Sequence, residues 1–357
     1  MPLLLSSSPH IANTVESRYL MRNVLISLAP VTIFGIVLFG VPALLNILIS
    51  VAGAVLAEAA FRRITRQDIR IGDLSAAVTG LMFALILPPS TPLWMTFLGA
   101  VFSVVVAKEF FGGLGANIFN PALIGRAFVL MSFPAAITSW TNPRVFVEKV
   151  NEAVDAVNSA SIIDGITNAT PLNIIKMGNT IADVGTGFTA LGLSASDDYW
   201  STIKTLFMGF HSGCIGESSI FLILAGMVFL LITQTIDWRA PASMSAAVLV
   251  VSPILGMDPL FSLISGGVVF GAVFMATDYV TAPLTEKGKL IFGFGAGLIT
   301  VLIRKWGSFP EGVTYGILIM NALTPFLNQL LPKKYGFVPK KKTASASGVS
   351  SVKGEVK

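Results

Sequence analysis

The sequence predicts an all-α integral membrane protein of about ten membrane-spanning helices, arranged as two inverted five-helix halves. Three observations carry that expectation. The 357 residues are 54% hydrophobic and only 12% charged, with a mean hydropathy of +0.78, which is too little charge to solvate a soluble domain of this size. Apolar runs long enough to cross about 30 Å of hydrocarbon recur along the chain. A single long polar stretch, residues 137–218, divides these runs into two groups of five. An odd number of spans makes the second group enter the membrane from the opposite face.

Residues 1–22 form a cytoplasmic N-terminal segment. They show no positively charged leader ahead of a long apolar core, so no cleaved signal peptide is expected. The first membrane half, 23–136, contains the runs 23–40, 42–60, 72–88, 92–107 and 119–136. Residues 137–218 are too polar to cross a bilayer and too long for an ordinary connection, which marks a functional extracytoplasmic loop. The second half, 219–332, contains 219–236, 241–256, 261–277, 289–303 and 313–331. The basic tail, 333–357, has little to bury and is expected to be disordered and held against anionic lipid. Most Lys and Arg residues, including Arg62, Arg63, Arg66, Arg70 and the tail lysines, fall on the side of the two termini. That bias places both termini in the cytoplasm. Arg304 and Lys305 are the awkward pair, predicted outside.

The polar loop contains Asp164-Gly165-Ile166-Thr167-Asn168-Ala169-Thr170-Pro171. Read locally, Thr170 is an N-cap with proline at the first helical position, and Asn168-Ala169-Thr170 is also a glycosylation sequon. At the start of the fifth run, Gly112-Gly113-Leu114-Gly115-Ala116-Asn117-Ile118-Phe119-Asn120-Pro121 reads locally as a helix-connecting loop with an Asn cap. Glycines also let backbone approach a flat ligand, and Asn offers both donors and an acceptor. Arg126 lies inside the fifth run. Its local expectation is pairing with a carbonyl, and an electrostatic role beside a reduced cofactor is the alternative. Asp73, Glu109, Glu217, Asp258 and Asp278 sit at run ends as caps or as oxygen ligands for an ion path, and sequence does not rank them. Cys214 is the only cysteine, and the two histidines are His10 and His211. These are too few for an iron–sulfur, haem or metal set within the chain, so no metal site is expected. The Gly-rich stretch lies between spans, where a dinucleotide fold has no place, so nicotinamide chemistry belongs to a partner.

The Asp-Gly-x-Thr-x-Ala-Thr pattern resembles the flavinylation motif of the family that holds the D subunits of Rnf complexes (RnfD) and the B subunits of Nqr (NqrB), with Asn168 where Gly is usual. Ser7-Ser8-Pro9-His10, the Gly112–Ala122 stretch and Phe274-Met275-Ala276-Thr277-Asp278 are similar to the same family, so the resemblance spans about 10–330. It implies FMN bound covalently through phosphate to Thr170, with Asp164, Thr167 and Ala169 completing the motif read by a separate flavin transferase. A hydroxyl is a poor nucleophile without activation, so attachment needs that enzyme, and small Ala169 on an exposed loop would give it access. The resemblance also implies noncovalent riboflavin near Asn117 and Asn120. The partners it implies are Rnf subunits carrying iron–sulfur clusters, a second covalent FMN and the NAD site. The implied function is a membrane flavoprotein subunit, not catalytic alone, of a complex that couples ferredoxin:NAD+ electron transfer to Na+ or H+ translocation. Two rivals stand beside it: a B-type subunit of the Na+-pumping NADH:quinone reductase, and a flavin-free inverted-repeat channel or secondary transporter. Membrane lipid is the expected surround, and nothing points to nucleic acid.

Overall fold

A computed structural model describes residues 17–68, 71–140, 143, 170–176, 181, 184, 199–307 and 311–330. Every regular element among them is helical. Helices α1 (Ser17–Phe39) and α2 (Val41–Ile64) have 23 and 24 residues, about 35 Å each at 1.5 Å per residue. They are separated by Gly40 alone, whose φ of 72° makes the reversal that a Cβ would oppose. Then follow α3 (Ser75–Leu85), α4 (Leu93–Val105), α5 (Pro121–Ser132) and the short α6 (Pro134–Ile137). The polar loop contributes α7 (Pro171–Lys176) and α8 (Tyr199–Met208). The remainder is α9 (Ile220–Ile232), α10 (Arg239–Ile254), α11 (Pro259–Ile264), α12 (Val268–Phe270), α13 (Glu286–Trp306) and α14 (Val313–Leu327).

The same packing pattern occurs twice. In the first half α2 packs on α3 and α4, α4 on α5, α3 on α5, and α1 on α3. In the second, α10 packs on α11 and α13, α13 on α14, and α9 on α12. The halves meet where α1 lies on α9 and α5 on α14. Helices α1 and α9 run antiparallel. Asn23 near the start of α1 donates to Thr235 just after α9 (3.1 Å), while Gly35 near the end of α1 lies against Ile215, ahead of α9. Two equivalent first helices running in opposite directions are what opposite membrane entry requires.

Three helical segments, Ser17–Phe39, Val41–Ile64 and Leu93–Phe111, are long and apolar enough to cross a membrane. Others are shorter than the sequence predicts. α3 has 11 residues, about 16 Å or half the hydrocarbon thickness. The predicted run 261–277 is not one helix. It breaks at Gly266 and Gly267, with φ of 65° and 69°, and resumes as α12 and a π-helical turn, Gly271–Met275. Irregular backbone at this depth is tolerated only where it is buried in protein or lines a cavity, and the third element of each half meets that condition. Ile33, Val37, Leu56, Phe221, Val228 and Val250 point outward from α1, α2, α9 and α10. An apolar belt of this kind is stable in lipid and not in water.

Candidate functional sites at the two ends

We call the end at which α1 begins the near end. The starts of α3, α5, α10 and α13 and the ends of α2, α4, α9 and α14 share it. A cleft of about 70 Å³ opens there, with Met21, Val24, Val78 and Met82 on its apolar walls. Its polar groups include Ser75, Lys108, Asn117, Asn120, Thr277 and Asp278. The structure thus brings together Asn117, Asn120 and the Met-Ala-Thr-Asp stretch, which are far apart in sequence. Asn120 is the N-cap of α5, its Oδ1 accepting from Ala122 N (3.0 Å) and Leu123 N (3.4 Å). Asn117 donates to the Phe119 carbonyl (3.1 Å). Each amide spends one side on the local backbone, which leaves the Asn120 NH2 and the Asn117 carbonyl for a ligand.

The wall beneath the cleft is a buried charge network. Lys108, 1% exposed, donates to Glu58 (2.6 Å) and Ser75 Oγ (2.6 Å), and Arg62 bridges to Glu109 (3.1 Å) and lies 3.6 Å from Glu58. Sequence reasoning overlooked Glu58 and the burial of Lys108. The available signal was an acid inside an apolar run, which is costly without a partner.

The opposite, far end contains α7, α11, the end of α13 and the start of α14. Thr170 precedes Pro171 and its carbonyl accepts from Ile174 N (3.1 Å), as the capping reading requires. Leu172, Ile174 and Ile175 pack with Phe261, Leu260, Ile203 and Leu206, and Lys176 Nζ donates to the Gly307 carbonyl. That packing corrects one expectation: Thr170 is buried, 6% exposed, rather than displayed on an exposed loop. The cause is the apolar face of α7, which draws the start of the helix onto the membrane core. Asp164, Thr167 and Ala169, like Ser7–His10 and the 333–357 tail, lie outside the described residues.

Arg126 also departs from expectation. It pairs with a carboxylate, Glu311, rather than a carbonyl, and its Nη2 lies 3.6 Å from Cys214 Sγ. Glu311 was absent from the sequence candidates because its Pro-Glu-Gly sequence reads as exposed loop. The awkward Arg304 is 5% exposed and donates to the carbonyls of Ser262, Ser265 (2.8 Å) and Gly266 (3.1 Å), so its charge caps the broken third helix instead of voting on topology. The sequence carboxylates now separate by role. Asp73, ahead of α3, accepts from Ser75 N (2.9 Å), Asp258 caps α11 through Phe261 N (2.7 Å), and Asp278 accepts from Thr281 Oγ1 (3.1 Å) beside the near cleft. Glu109 is paired with Arg62, while Glu217 accepts from Cys214 N (3.1 Å) beside Glu311. Outside the membrane core, burial and the hydrogen bond to Asp258 push the Tyr199 hydroxyl up to about 12.

These features define a helical multi-pass membrane protein with an internally repeated core and a polar site at each end. The chain belongs to the NQR2, RnfD, RnfE family, whose model matches residues 4–336. It is 38% identical over 340 residues to the D subunit of the proton-translocating ferredoxin:NAD(+) oxidoreductase complex of Clostridium ljungdahlii, covering 93% of this chain and 96% of the relative. It is 36% identical over 345 residues to the D subunit of the Na(+)-translocating ferredoxin:NAD(+) oxidoreductase complex of Acetobacterium woodii, covering 96% and 98%. The D subunit of the ion-translocating oxidoreductase complex of Stutzerimonas stutzeri is 35% identical over 335 residues, covering 89% and 91%.

Proposed function

We propose that the protein is the D-type membrane subunit of an Rnf complex, with FMN on Thr170 at the far end and riboflavin in the near cleft. The complex couples electron transfer between ferredoxin and NAD+ to cation movement, as the names of the relatives describe for theirs. The carrying observation is the convergence of Asn117, Asn120 and Asp278 on one cleft, at the end of the core opposite Thr170. The lining of the cleft suits a flat, mostly apolar ring: its walls are apolar, and Asn117 and Asn120 near the α5 cap offer amide donors and an acceptor to a flavin edge. Thr170 fits a phosphoester because it supplies a hydroxyl at a helix start, where backbone N–H groups favour a phosphate. Its burial implies that a flavin transferase acts before α7 seats, or on a loosened loop. When bound, flavins supply one-electron redox chemistry. The contribution of this chain is to hold them apart in a low-dielectric core, where a change of charge is strongly felt.

The near end is then cytoplasmic and the far end extracytoplasmic, in a bacterial inner membrane. The partners are subunits bearing iron–sulfur clusters, the NAD site and a second covalent FMN, with a flavin transferase for maturation. Similarity does not choose the ion, since one relative is named for H+ and another for Na+. The test of the flavin reading is protein expressed with its transferase. A fluorescent band that survives denaturing electrophoresis, with the added mass on the Thr170 peptide, is the expected result. An unmodified Thr170 peptide in an active complex refutes it. For topology, Lys204→Cys and Lys287→Cys in a Cys214→Ser background should label from opposite sides with an impermeant reagent, and labelling from one side overturns the assignment.

A further inference from the structure

Two cavities lie side by side at the near end, and a chain of hydrogen bonds joins them. The near cleft has Ser75 and Lys108 in its lining. Beside it a polar cavity of about 570 Å³ is lined by Ser17, Arg62, Arg66, Gln67, Asp68 and Asp73. Ser17, Arg66, Gln67 and Asp68 are exposed, so this cavity is open to water. Leu114 lines both spaces and forms part of the partition. At Leu74, φ is 64°, and the chain turns so that the Asp73 carboxylate folds back on the start of α3. Ser75 Oγ donates to Asp73 Oδ1 (2.7 Å) and accepts from Lys108 Nζ (2.6 Å). Asp73 belongs to the polar cavity and Lys108 to the cleft, so three side chains cross the wall between them.

We propose, resting on the flavin reading of the cleft, that Asp73, Ser75 and Lys108 form a proton relay from water in the polar cavity to that flavin, with Lys108 handing over the proton. A ring that gains an electron in a low-dielectric site needs a proton too, or it leaves a buried negative charge that is strongly felt. Lys108 is equipped to supply it. An ammonium has three N–H groups, and Glu58 and Ser75 take two of them, which leaves the third for the cleft. The other titratable groups in the cleft lining are Asp278 and Tyr279. Asp278 accepts with both oxygens, from Val280 N (3.3 Å) and Thr281 Oγ1 (3.1 Å), and Tyr279 is largely exposed. No hydrogen bond among the described residues links either of them to the polar cavity.

Atoms and charges balance along the relay. For each electron that the complex delivers, one N–H bond of Lys108 breaks and one forms on a ring nitrogen. Ser75 Oγ then gives its proton to the neutral Nζ and takes one from Asp73, itself protonated by water in the cavity. The ring has gained one electron and one proton, and the three side chains are as they began. While Lys108 is neutral, Arg62 at 3.6 Å still faces Glu58, so the acid is not stranded. Glu109 is held by the same arginine (3.1 Å). Reoxidation of the ring runs the relay backwards.

The experiment mixes the assembled complex rapidly with reduced ferredoxin and follows flavin bleaching, with acid-extracted riboflavin measured on every sample. Asp73→Asn and Ser75→Ala interrupt the relay at different points and leave Lys108 paired with Glu58. Each should retain riboflavin while one bleaching phase slows about a hundredfold. Two rescues separate a relay from a structural role. Ser75→Thr keeps a hydroxyl and should bleach at the wild-type rate, and formate, a weak acid small enough for the polar cavity, should restore the rate in Asp73→Asn. Where one variant does not assemble, the other decides with its own rescue. Wild-type bleaching in a variant that retains riboflavin overturns the relay, and so does a slowed phase that its rescue leaves slow. A wild-type complex without extractable riboflavin overturns the flavin reading and the relay with it.

Discussion

The two ends of the core meet the same problem, charge buried at membrane depth, in different ways. At the near end Glu58, Arg62, Lys108 and Glu109 all come from α2 and the end of α4, within one half. That network is local, and it braces the wall of the near cleft. At the far end Arg126 belongs to the first half, Glu311 to the second, and Glu217 to the segment between them. This network crosses the repeat interface and lines a small cavity. A charge cluster within one half stays intact when the halves move, whereas one shared between halves is remade by the same motion. The near cluster is thus a property of one half, and the far cluster a property of the contact between halves.

The most severe way to break the comparison is at Thr170. Thr170→Val keeps the side-chain shape and removes the hydroxyl, so covalent FMN and electron transfer through the complex should both vanish. Loss of the cap should cost only about 1 kcal/mol. Peptide mass spectrometry and NADH formation by the assembled complex check this, and near-cleft flavin should remain. Next is Lys108→Met, which removes the nearer of the two cations beside Glu58 and leaves only Arg62, 3.6 Å away, and should cost about 3 kcal/mol. The double variant with Glu58→Gln should recover most of that, as read by thermal unfolding in detergent. A failure to recover would mean the network is not local.

A smaller effect is expected for Asn117→Leu with Asn120→Leu, which should lower noncovalent flavin several-fold while Thr170 stays modified. Acid-extracted riboflavin measures it, and an unchanged content removes both residues from the site. The smallest concerns Asp237 between α9 and α10. Burial alone would raise its pKa, but hydrogen bonds from Lys289 (3.0 Å) and Arg239 (2.8 Å) outweigh it and hold the carboxyl below its ordinary value. The stabilisation is therefore present above the unfolded pKa near 3.8 and lost as pH falls through the lower folded value. For this partly exposed group Asp237→Asn should cost about 0.5 kcal/mol at neutral pH and nothing in strong acid.

Much of this was legible in the residues themselves. The inverted halves followed from the parity of apolar runs, because hydrocarbon thickness fixes how many residues a crossing needs. Asn120 as a cap before Pro121, and Asp258 before Pro259, are local signals decided within one helical turn, and both appear in the structure. The break at Gly266-Gly267 was missed because a hydropathy window averages over it, and only backbone sterics register two glycines at positive φ. Glu311 was missed for a related reason. Its neighbours in sequence read as exposed loop, and nothing local says that Glu311 pairs with Arg126.

The sequence alone determined that the chain lives in a membrane and that its halves enter from opposite faces. Those properties depend on composition and short-range pattern. The tertiary structure decided which distant residues meet: Asn117 and Asn120 with Asp278, Lys108 with Glu58, Arg126 with Glu311, and a buried Thr170. These are pairings across many residues, set by how helices pack. In a low-dielectric interior a charge must find its partner wherever the fold brings one within reach.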